Sequence, residues 1–240
     1  MIEIKHIEKK FGRLVALNNV NLDFRAGETI ALIGPNGSGK TTLIKTILGL
    51  VIPDKGDVLF RGQSVLGEWA YRNGIGYMPQ IGRYPDNMRI GQIVDMMVDL
   101  RKSHNHSVDE ELMDSLGLRK LLDKPMRTLS GGTRQKVSAC LAFMFQPDVL
   151  ILDEPTAGLD PLSSEILKDK MLKEKEKGKL ILITSHVLSD LDDLVTEIVY
   201  MQEGVVRYHE SLDVLQEETG EQKLNKVIAA LMHRQQKAAI

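Results

Sequence analysis

The feature that most constrains this chain is the segment GPNGSGKTT at residues 34–42. The run ETIALIG at residues 28–34 precedes it, and its unbroken apolar core predicts a buried strand. From residue 40 to residue 50, leucines and isoleucines recur at helical spacing. A strand, a glycine-rich loop and a helix in this order form the context of the phosphate-binding motif G-x-x-x-x-G-K-[ST]. The chain is therefore predicted to have an α/β fold with a nucleotide-binding loop.

The residue types of this segment, named below the phosphate loop, suit the binding of a triphosphate. Glycines let successive backbone N–H groups converge on phosphate oxygens, and the helix that follows directs its positive end at the same anion. Lys40 supplies a full charge to the β- and γ-phosphates, and the Thr41 hydroxyl can ligate Mg²⁺. The alternative is a glycine-rich turn that binds nothing, which the flanking strand and helix disfavour. The predicted phosphate-binding residues are Gly34, Pro35, Asn36, Gly37, Ser38, Gly39, Lys40, Thr41 and Thr42.

Two adjacent carboxylates lie near the end of the segment VLILDEP at residues 149–155. Asp153 and Glu154 come at the carboxyl end of a predicted buried strand, the edge where open parallel sheets bind their ligands. An aspartate there can hold Mg²⁺, and the neighbouring glutamate can polarise an attacking water. Acids in an ordinary loop are the alternative, which the upstream phosphate loop makes less attractive.

The remaining patterns predict the rest of the fold. Alternation at Ile2, Ile4, Leu22 and Phe24 predicts antiparallel strands with one wet face, and LILITS at residues 180–185 predicts another buried strand. Residues 81–146 are mostly helical in pattern. A helix at about residues 161–177 contains a lysine and glutamate run, which we interpret as a solvated face.

Composition narrows the class of protein. Lysine and arginine total 31 against 33 acids, a formal charge of −2, which argues against broad electrostatic capture of nucleic acid. Cys140 is the one cysteine, so we expect a small buried hydrophobe and no internal disulfide. The first 30 residues lack a signal-peptide stretch, and the apolar run ACLAFMF is far below the ~20 residues of a membrane span. Any work at a membrane is therefore expected to pass through a partner.

Further motifs resemble those of ATP-binding-cassette (ABC) ATPases. The segment LSGGTRQKV at residues 129–137, the signature segment, resembles the family's signature, AGLDP at 157–161 resembles its D-loop, and TSH at 184–186 contains its switch histidine. Gln80 in YMPQ and Phe11 in KKFG occupy the positions of the family's Q-loop glutamine and its adenine-stacking aromatic residue. The motifs occur in the family's order over about residues 2–208.

The resemblance implies a role for each of these residues. Ser130, Gly131 and Gly132 would form a second anion site that closes on the γ-phosphate of the other copy in a head-to-tail dimer. Asp160 would lie at the dimer seam, His186 would hydrogen-bond the γ-phosphate or the water, Gln80 would reach Mg²⁺ or the water, and Phe11 would stack on adenine. The chain departs from the family at Thr133, where glutamine is usual, and at Phe11, where tyrosine is commoner.

The resemblance also implies the fold class: a P-loop NTPase with a RecA-like core, an antiparallel β subdomain and an inserted α-helical subdomain. The expected ATPase domain spans residues 1–215. Its core comprises residues 1–81 and 147–215, and its helical subdomain residues 82–146. A C-terminal helical extension is expected at residues 216–240.

The function implied is an ATP-hydrolysing subunit, with ATP and Mg²⁺ as cofactors, that powers a membrane transporter. The permease would lie on separate chains, and the second ATPase would be another copy or a related chain. The subunit would be cytoplasmic and peripheral on the inner face of the membrane. The short chain resembles ATPases of ABC-2-type exporters and, in overall texture, the copper-maturation ATPase of nitrous-oxide-reductase cassettes.

Two other classes are the alternatives. A soluble ABC ATPase acting on nucleic acid or ribosomes usually carries two cassettes or a long coiled coil, and neither is present in the sequence. A P-loop kinase or GTPase would leave the LSGG motif, Gln80 and His186 unexplained. We therefore expect no nucleic-acid partner.

Overall fold

A computed structural model describes residues 1–101, 107–185 and 191–238. The chain divides into two compact units: residues 1–69 with 184–240 form the first, and residues 70–183 form the second. The strands are β1 (Ile2–Phe11), β2 (Leu14–Phe24), β3 (Thr29–Ile33), β4 (Lys55–Phe60), β5 (Gln63–Ser64), β6 (Ile75–Met78), β7 (Val149–Asp153), β8 (Leu180–Thr184), β9 (Glu197–Gln202) and β10 (Val205–Ser211). The helices are α1 (Lys40–Ile47), α2 (Ile90–Arg101), α3 (Glu111–Ser115), α4 (Gly131–Phe143), α5 (Pro161–Glu176), α6 (Leu212–Thr219) and α7 (Leu224–Ala238).

The first unit contains an antiparallel sheet in the order β2-β1-β4-β5. Ile2 pairs with Phe24 on one side and with Phe60 on the other, and all three side chains are buried. The residues between the buried positions of β1 are mostly exposed or half-buried. This arrangement confirms the prediction of antiparallel strands with one wet face, because alternating side chains lie on opposite faces of a strand.

A second group of strands in the first unit has the order β10-β9-β3. Strand β3 runs parallel to β9 and is buried at every residue, as its apolar sequence predicts. Its carboxyl end leads directly into the phosphate loop and α1, whose first residue is Lys40. The strand–loop–helix prediction is therefore confirmed.

In the second unit, the strand order is β8-β7-β6. Strands β6 and β7 are parallel, with Met78 opposite Leu152, and both β7 and β8 are buried throughout. Helix α4 crosses β6 closely, since a Cβ at Gly76 would lie 2.1 Å from the carbonyl oxygen of Ala142. Cys140, on α4, is a buried free thiol, as predicted, and burial raises its pKa to about 12.

The charged run of α5 is a solvated face only in part, because most of its charged residues are exposed or half-buried but two are not. Lys170 and Glu174 each leave only 2% of their surface exposed. The Lys170 ammonium lies 2.6 Å from the Asp109 carboxylate and 2.7 Å from that of Glu111, and Lys177 lies 2.8 Å from Glu174. We call these groups, with Lys179 beside Glu174, the α5 ion cluster. The prediction was wrong for Lys170 because its partners Asp109 and Glu111 lie on other segments, about 60 residues away in sequence.

Charge pairing sets the ionisation of this cluster. Burial by itself would lower the pKa of Lys170, but hydrogen bonds to Asp109 and Glu111 raise it above its ordinary value. Hydrogen bonds from Lys170 and Lys173 lower the pKa of Glu111 to about 2. Lys170 and Glu111 are therefore both charged throughout the neutral range, and the ion pairs of Lys170 tie α5 to α3 and to the residues before α3.

Candidate nucleotide-binding site

The phosphate loop is shaped by close backbone contacts in the first unit. A Cβ at Gly34 would lie 2.1 Å from the carbonyl oxygen of Met201, and one at Gly39 would lie 2.5 Å from that of Ala16. Gly39 also has φ +104°, which disfavours any other residue. These two positions require glycine for steric reasons that the motif alone does not reveal. The loop is further fixed by a 3.0 Å bond from the Gly204 N–H to the Ser38 carbonyl.

The N-terminus of α1 suits an anion. Its capping position is Gly39, which has no side chain to satisfy the first-turn amides, and the first turn contains no acidic residue. First-turn N–H groups have no intrahelical partner and lie at the positive end of the helix dipole. The Ser38 hydroxyl is buried, and no hydrogen-bond partner is found for it within the described part of the chain. The loop thus presents N–H and O–H groups that can donate hydrogen bonds to phosphate oxygens.

Lys40 extends its side chain back over the loop. Its ammonium donates to the carbonyl oxygens of Gly34 at 2.7 Å and Pro35 at 3.1 Å. This places a full positive charge at the Gly34–Pro35 end of the phosphate loop. Phosphate oxygens can replace carbonyl oxygens as acceptors, and the charge-assisted bonds that result are stronger.

Phe11 ends β1 and is 50% exposed. The Lys9 ammonium lies 5.5 Å from the centroid of its ring, within the range of a cation–π interaction. An exposed aromatic face can stack on a planar base. Its role toward adenine stays a prediction.

The acidic residues that the sequence predicts for the site belong to the second unit. Asp153 ends β7 and is 7% exposed, and its charge adds to burial in raising the pKa of Tyr77 on the neighbouring strand to about 12. Glu154 follows in a left-handed conformation, with φ +51°. Gln80 is exposed and comes two residues after β6. Because β6 and β7 are parallel neighbours, Gln80 and Glu154 follow the same edge of the strand pair.

The signature segment begins α4 in the second unit. Ser130 is its N-cap, and its hydroxyl oxygen accepts the Thr133 N–H at 3.2 Å. The hydroxyl groups of Ser130 and Thr133 are also hydrogen-bonded to each other at 2.9 Å. Thr133, where the chain departs from the family, therefore contacts Ser130, a residue predicted to bind phosphate.

One face of α4 contacts the segment of residues 154–160. A Cβ at Gly132 would lie 2.6 Å from the Gly158 carbonyl oxygen, so the two backbones approach closely. Three residues further along, Gln135 donates from Nε2 to the Glu154 carbonyl at 3.3 Å. The structure thus brings the signature segment together with the predicted general base of the same chain.

Asp160 is held by charge as well as by capping. Lys136 lies 2.8 Å from its carboxylate, and the Ser163 N–H and hydroxyl donate to the same group at 2.9 and 2.8 Å. The Lys136 hydrogen bond first, and those from Ser163 next, hold the pKa of Asp160 well below its usual range. The predicted D-loop aspartate is therefore an ionised N-cap of α5 that is also tied to α4.

Sequence reasoning did not single out Gln135 and Lys136. Their spacing of three and four residues from Gly132 would have placed all three on one helix face, since such residues are neighbours on a helix. No sequence pattern indicates what that face contacts. His186, the predicted switch histidine, lies outside the described residues.

Comparison with known proteins identifies the family. The family model described as ABC transporter matches residues 17–157. The lantibiotic transport ATP-binding protein SrtF of Streptococcus pyogenes is 32% identical over 222 residues, which cover 89% of this chain and 92% of that protein. The Nod factor export ATP-binding protein I of Burkholderia lata is 30% identical over 207 residues, 85% of this chain and 68% of that protein. A solved ATP-binding subunit of an ABC transporter superposes with a TM-score of 0.87 at 27% identity, over 97% of this chain and 99% of that one.

The chain therefore belongs to the ABC transporter family, and the P-loop NTPase fold class is confirmed. Within that family it is an ATP-binding and ATP-hydrolysing subunit that powers transport. The soluble alternative acting on nucleic acid finds no support among these relatives. Across the described residues, no helix has both the length and the apolar character needed to cross a bilayer. The expected domain boundaries and the likeness to the copper-maturation ATPase stay predictions.

Proposed function

We propose that the phosphate loop binds the triphosphate of Mg-ATP and that Glu154 polarises the water that attacks the γ-phosphate. The observation that supports the first step is the start of α1, where an uncapped first turn and the Lys40 ammonium converge on one loop. The buried Ser38 hydroxyl adds a further donor to the same loop. Phe11 offers its exposed ring to the adenine.

The proposed metal is Mg²⁺, held by the Thr41 hydroxyl, Asp153 and, in some states, Gln80. All three offer oxygen ligands, which Mg²⁺ prefers, and this ion is usually held by few protein groups together with phosphates and water. When bound, Mg²⁺ neutralises charge on the phosphates.

Two such subunits are proposed to sandwich two ATP molecules head to tail. Ser130, Gly131 and Gly132 at the start of α4 would cap the γ-phosphate held by the partner's phosphate loop, and Asp160 would lie at the seam. His186 is proposed to hydrogen-bond the γ-phosphate or to orient the water. Closure would act on integral-membrane permease chains, which would keep the subunit peripheral on the inner face of the membrane. The relatives named for lantibiotic transport and Nod factor export support a transporter partner.

Replacement of the general base tests this proposal. We expect Glu154→Gln to bind ATP as the parent does, to form an ATP-loaded dimer and to lose at least 99% of turnover, since a positioned base contributes roughly 10²–10⁴-fold. Equilibrium titration, size-exclusion chromatography with Mg-ATP and phosphate release measure the three quantities. Parental turnover in this variant would remove Glu154 from the role of base. A variant that binds ATP and stays monomeric would contradict the sandwich.

A further inference from the structure

Glu154 has a backbone conformation that its own side chain does not favour. A non-glycine residue at φ +51° lies in the left-handed region, which persists only where its surroundings enforce it. Its carbonyl oxygen accepts two hydrogen bonds. One comes from the Ala157 N–H at 3.1 Å and closes a local turn, and the other comes from Gln135 Nε2 at 3.3 Å on α4.

Gln135 is built into the interior rather than displayed on the surface. It is only 5% exposed, and a buried amide group is costly unless it is hydrogen-bonded. On either side of it along α4, Gly132 packs against Gly158 and Lys136 pairs with Asp160. The first half of α4 therefore contacts the 154–160 segment at three residues, and Gln135 holds the first of them, Glu154.

We infer that Gln135 is a positioning residue for ATP hydrolysis, which acts by holding the Glu154 carbonyl and with it the direction of the Glu154 carboxylate. The backbone angles of a residue fix the direction of its Cα–Cβ bond, so the hydrogen bond to the carbonyl orients the side chain. The inference rests on the proposed role of Glu154 as base. Because Ser130 and Gln135 belong to one helix, the element that would cap the partner's phosphate also orients the base of its own chain.

Two substitutions test the hydrogen bond. Gln135→Leu keeps most of the volume and removes the donor, and Gln135→Glu keeps the shape and presents an acceptor to the carbonyl. We expect kcat to fall about two- to tenfold in the leucine variant, the range of one hydrogen bond, and at least as far in the glutamate variant. The KM for ATP and the equilibrium ATP affinity should stay at parental values, because the phosphate loop is untouched.

A matched control separates this role from a general loss of structure. Gln216 on α6 donates from Nε2 to the Gln222 carbonyl at 2.7 Å, and it contacts no proposed site residue through that bond. Gln216→Leu should therefore keep parental kcat. In the Glu154→Gln background, Gln135→Leu should still allow the ATP-loaded dimer, and it should lower the residual turnover by less than it does in the parent, since both changes act on one group.

Each result decides between the claims. Parental kcat in both Gln135 variants, in a protein that Glu154→Gln inactivates, overturns the inference and leaves the proposed function standing. A fall in kcat that comes with an equal fold-loss of ATP affinity also overturns it, and so does a fall in kcat in a variant that no longer unfolds cooperatively on heating. Both patterns mark a residue needed for the structure as a whole. Parental turnover of Glu154→Gln overturns the proposed base and the inference together. If leucine disrupts packing, the test passes to Gln135→Glu. A fall in its kcat at parental ATP affinity and parental stability supports the inference, and parental kcat overturns it.

Discussion

The phosphate loop and the region around α4 achieve their geometry by different means. The phosphate loop is set by backbone atoms: Gly34 and Gly39 lie where a Cβ would meet a carbonyl oxygen, and the helix that follows has no side-chain cap. The start of α4 has one such contact, at Gly132, but it is set mainly by side chains. Ser130 caps the helix, and Gln135 and Lys136 contact the 154–160 segment.

This difference teaches how freely each region can vary. A backbone-built loop tolerates almost no added atom, so its motif is strict. A side-chain-built region can exchange one hydrogen-bonding group for another at a modest cost, since a single neutral hydrogen bond contributes about 1 kcal/mol. The departure at Thr133 lies in the second region, and the phosphate loop matches its motif at every required position.

The largest expected effect tests how far the stability of the second unit depends on the α5 ion cluster. Lys170→Met would leave Asp109 without its buried partner and remove one of the three lysines around Glu174, and breaking a buried ion pair costs about 3–5 kcal/mol. Denaturant unfolding should show that loss in the free energy of unfolding. Lys168→Met is the control: Lys168 is more exposed and pairs with Glu165 at 3.0 Å on the same helix, and an exposed pair contributes at most about 1 kcal/mol. Equal losses in the two variants would mean that the α5 ion cluster is no more important than a surface pair.

The next effect tests the backbone-built loop. Gly39→Ala places a Cβ 2.5 Å from the Ala16 carbonyl at a residue with φ +104°. We expect a loss of about 2–4 kcal/mol in the free energy of unfolding, from strain and overpacking together, and ATP binding weakened at least tenfold. Thermal unfolding and nucleotide titration measure these changes.

Gly12→Ala is the matched control for that prediction. Gly12 also has positive φ, +60°, but a Cβ there would meet nothing within 4 Å. The Gly12→Ala variant should therefore lose only about 1 kcal/mol of the free energy of unfolding, the cost of the backbone conformation itself. If Gly39→Ala were no more destabilising than Gly12→Ala, the close approach to Ala16 would not be what fixes the loop.

How much the sequence predicts follows the same division. The strand, loop and helix around residues 28–50 were predictable because their pattern is local: apolar runs, glycines and helical spacing all lie within about 20 residues. Strand β7 and its terminal acids were predictable for the same reason. The contacts of the region around α4 were not predictable. The residue pattern of a helix face indicates that the face packs against something, but not against which segment of the chain.

Lys170 illustrates the limit most clearly. A run of lysines and glutamates is usually a solvated face, and no local signal distinguishes the two charged residues of α5 that are buried. Their burial depends on Asp109, Glu111 and Lys179, two of which precede them by about 60 residues. Gln135 is similar, since its hydrogen bond is to a main-chain oxygen that any residue at position 154 would provide.

The smallest expected effect concerns Thr133 and the hydroxyl of Ser130. A hydroxyl oxygen has two acceptor sites and one proton. When the Thr133 N–H and hydroxyl both donate to Ser130 Oγ, both acceptor sites are used, and the Ser130 proton is left to donate to a further acceptor. Such a proton is what an anion needs, and successive hydrogen bonds of this kind strengthen one another. Thr133 is therefore expected to favour capping of a phosphate in the proposed dimer.

Thr133→Val removes that hydroxyl and keeps the shape of the side chain and the backbone N–H. In the Glu154→Gln background, we expect the ATP concentration for half-maximal dimerisation to rise about two- to tenfold, the range of one hydrogen bond. ATP affinity measured at protein concentrations too low for dimerisation should not change, because Thr133 would contact only the partner's nucleotide. Thr133→Ser keeps the hydroxyl and should dimerise as the parent does. If valine and serine behaved alike, the helix amides and Ser130 would suffice for capping, and the side-chain-built region would be less dependent on its hydroxyl groups than the geometry indicates.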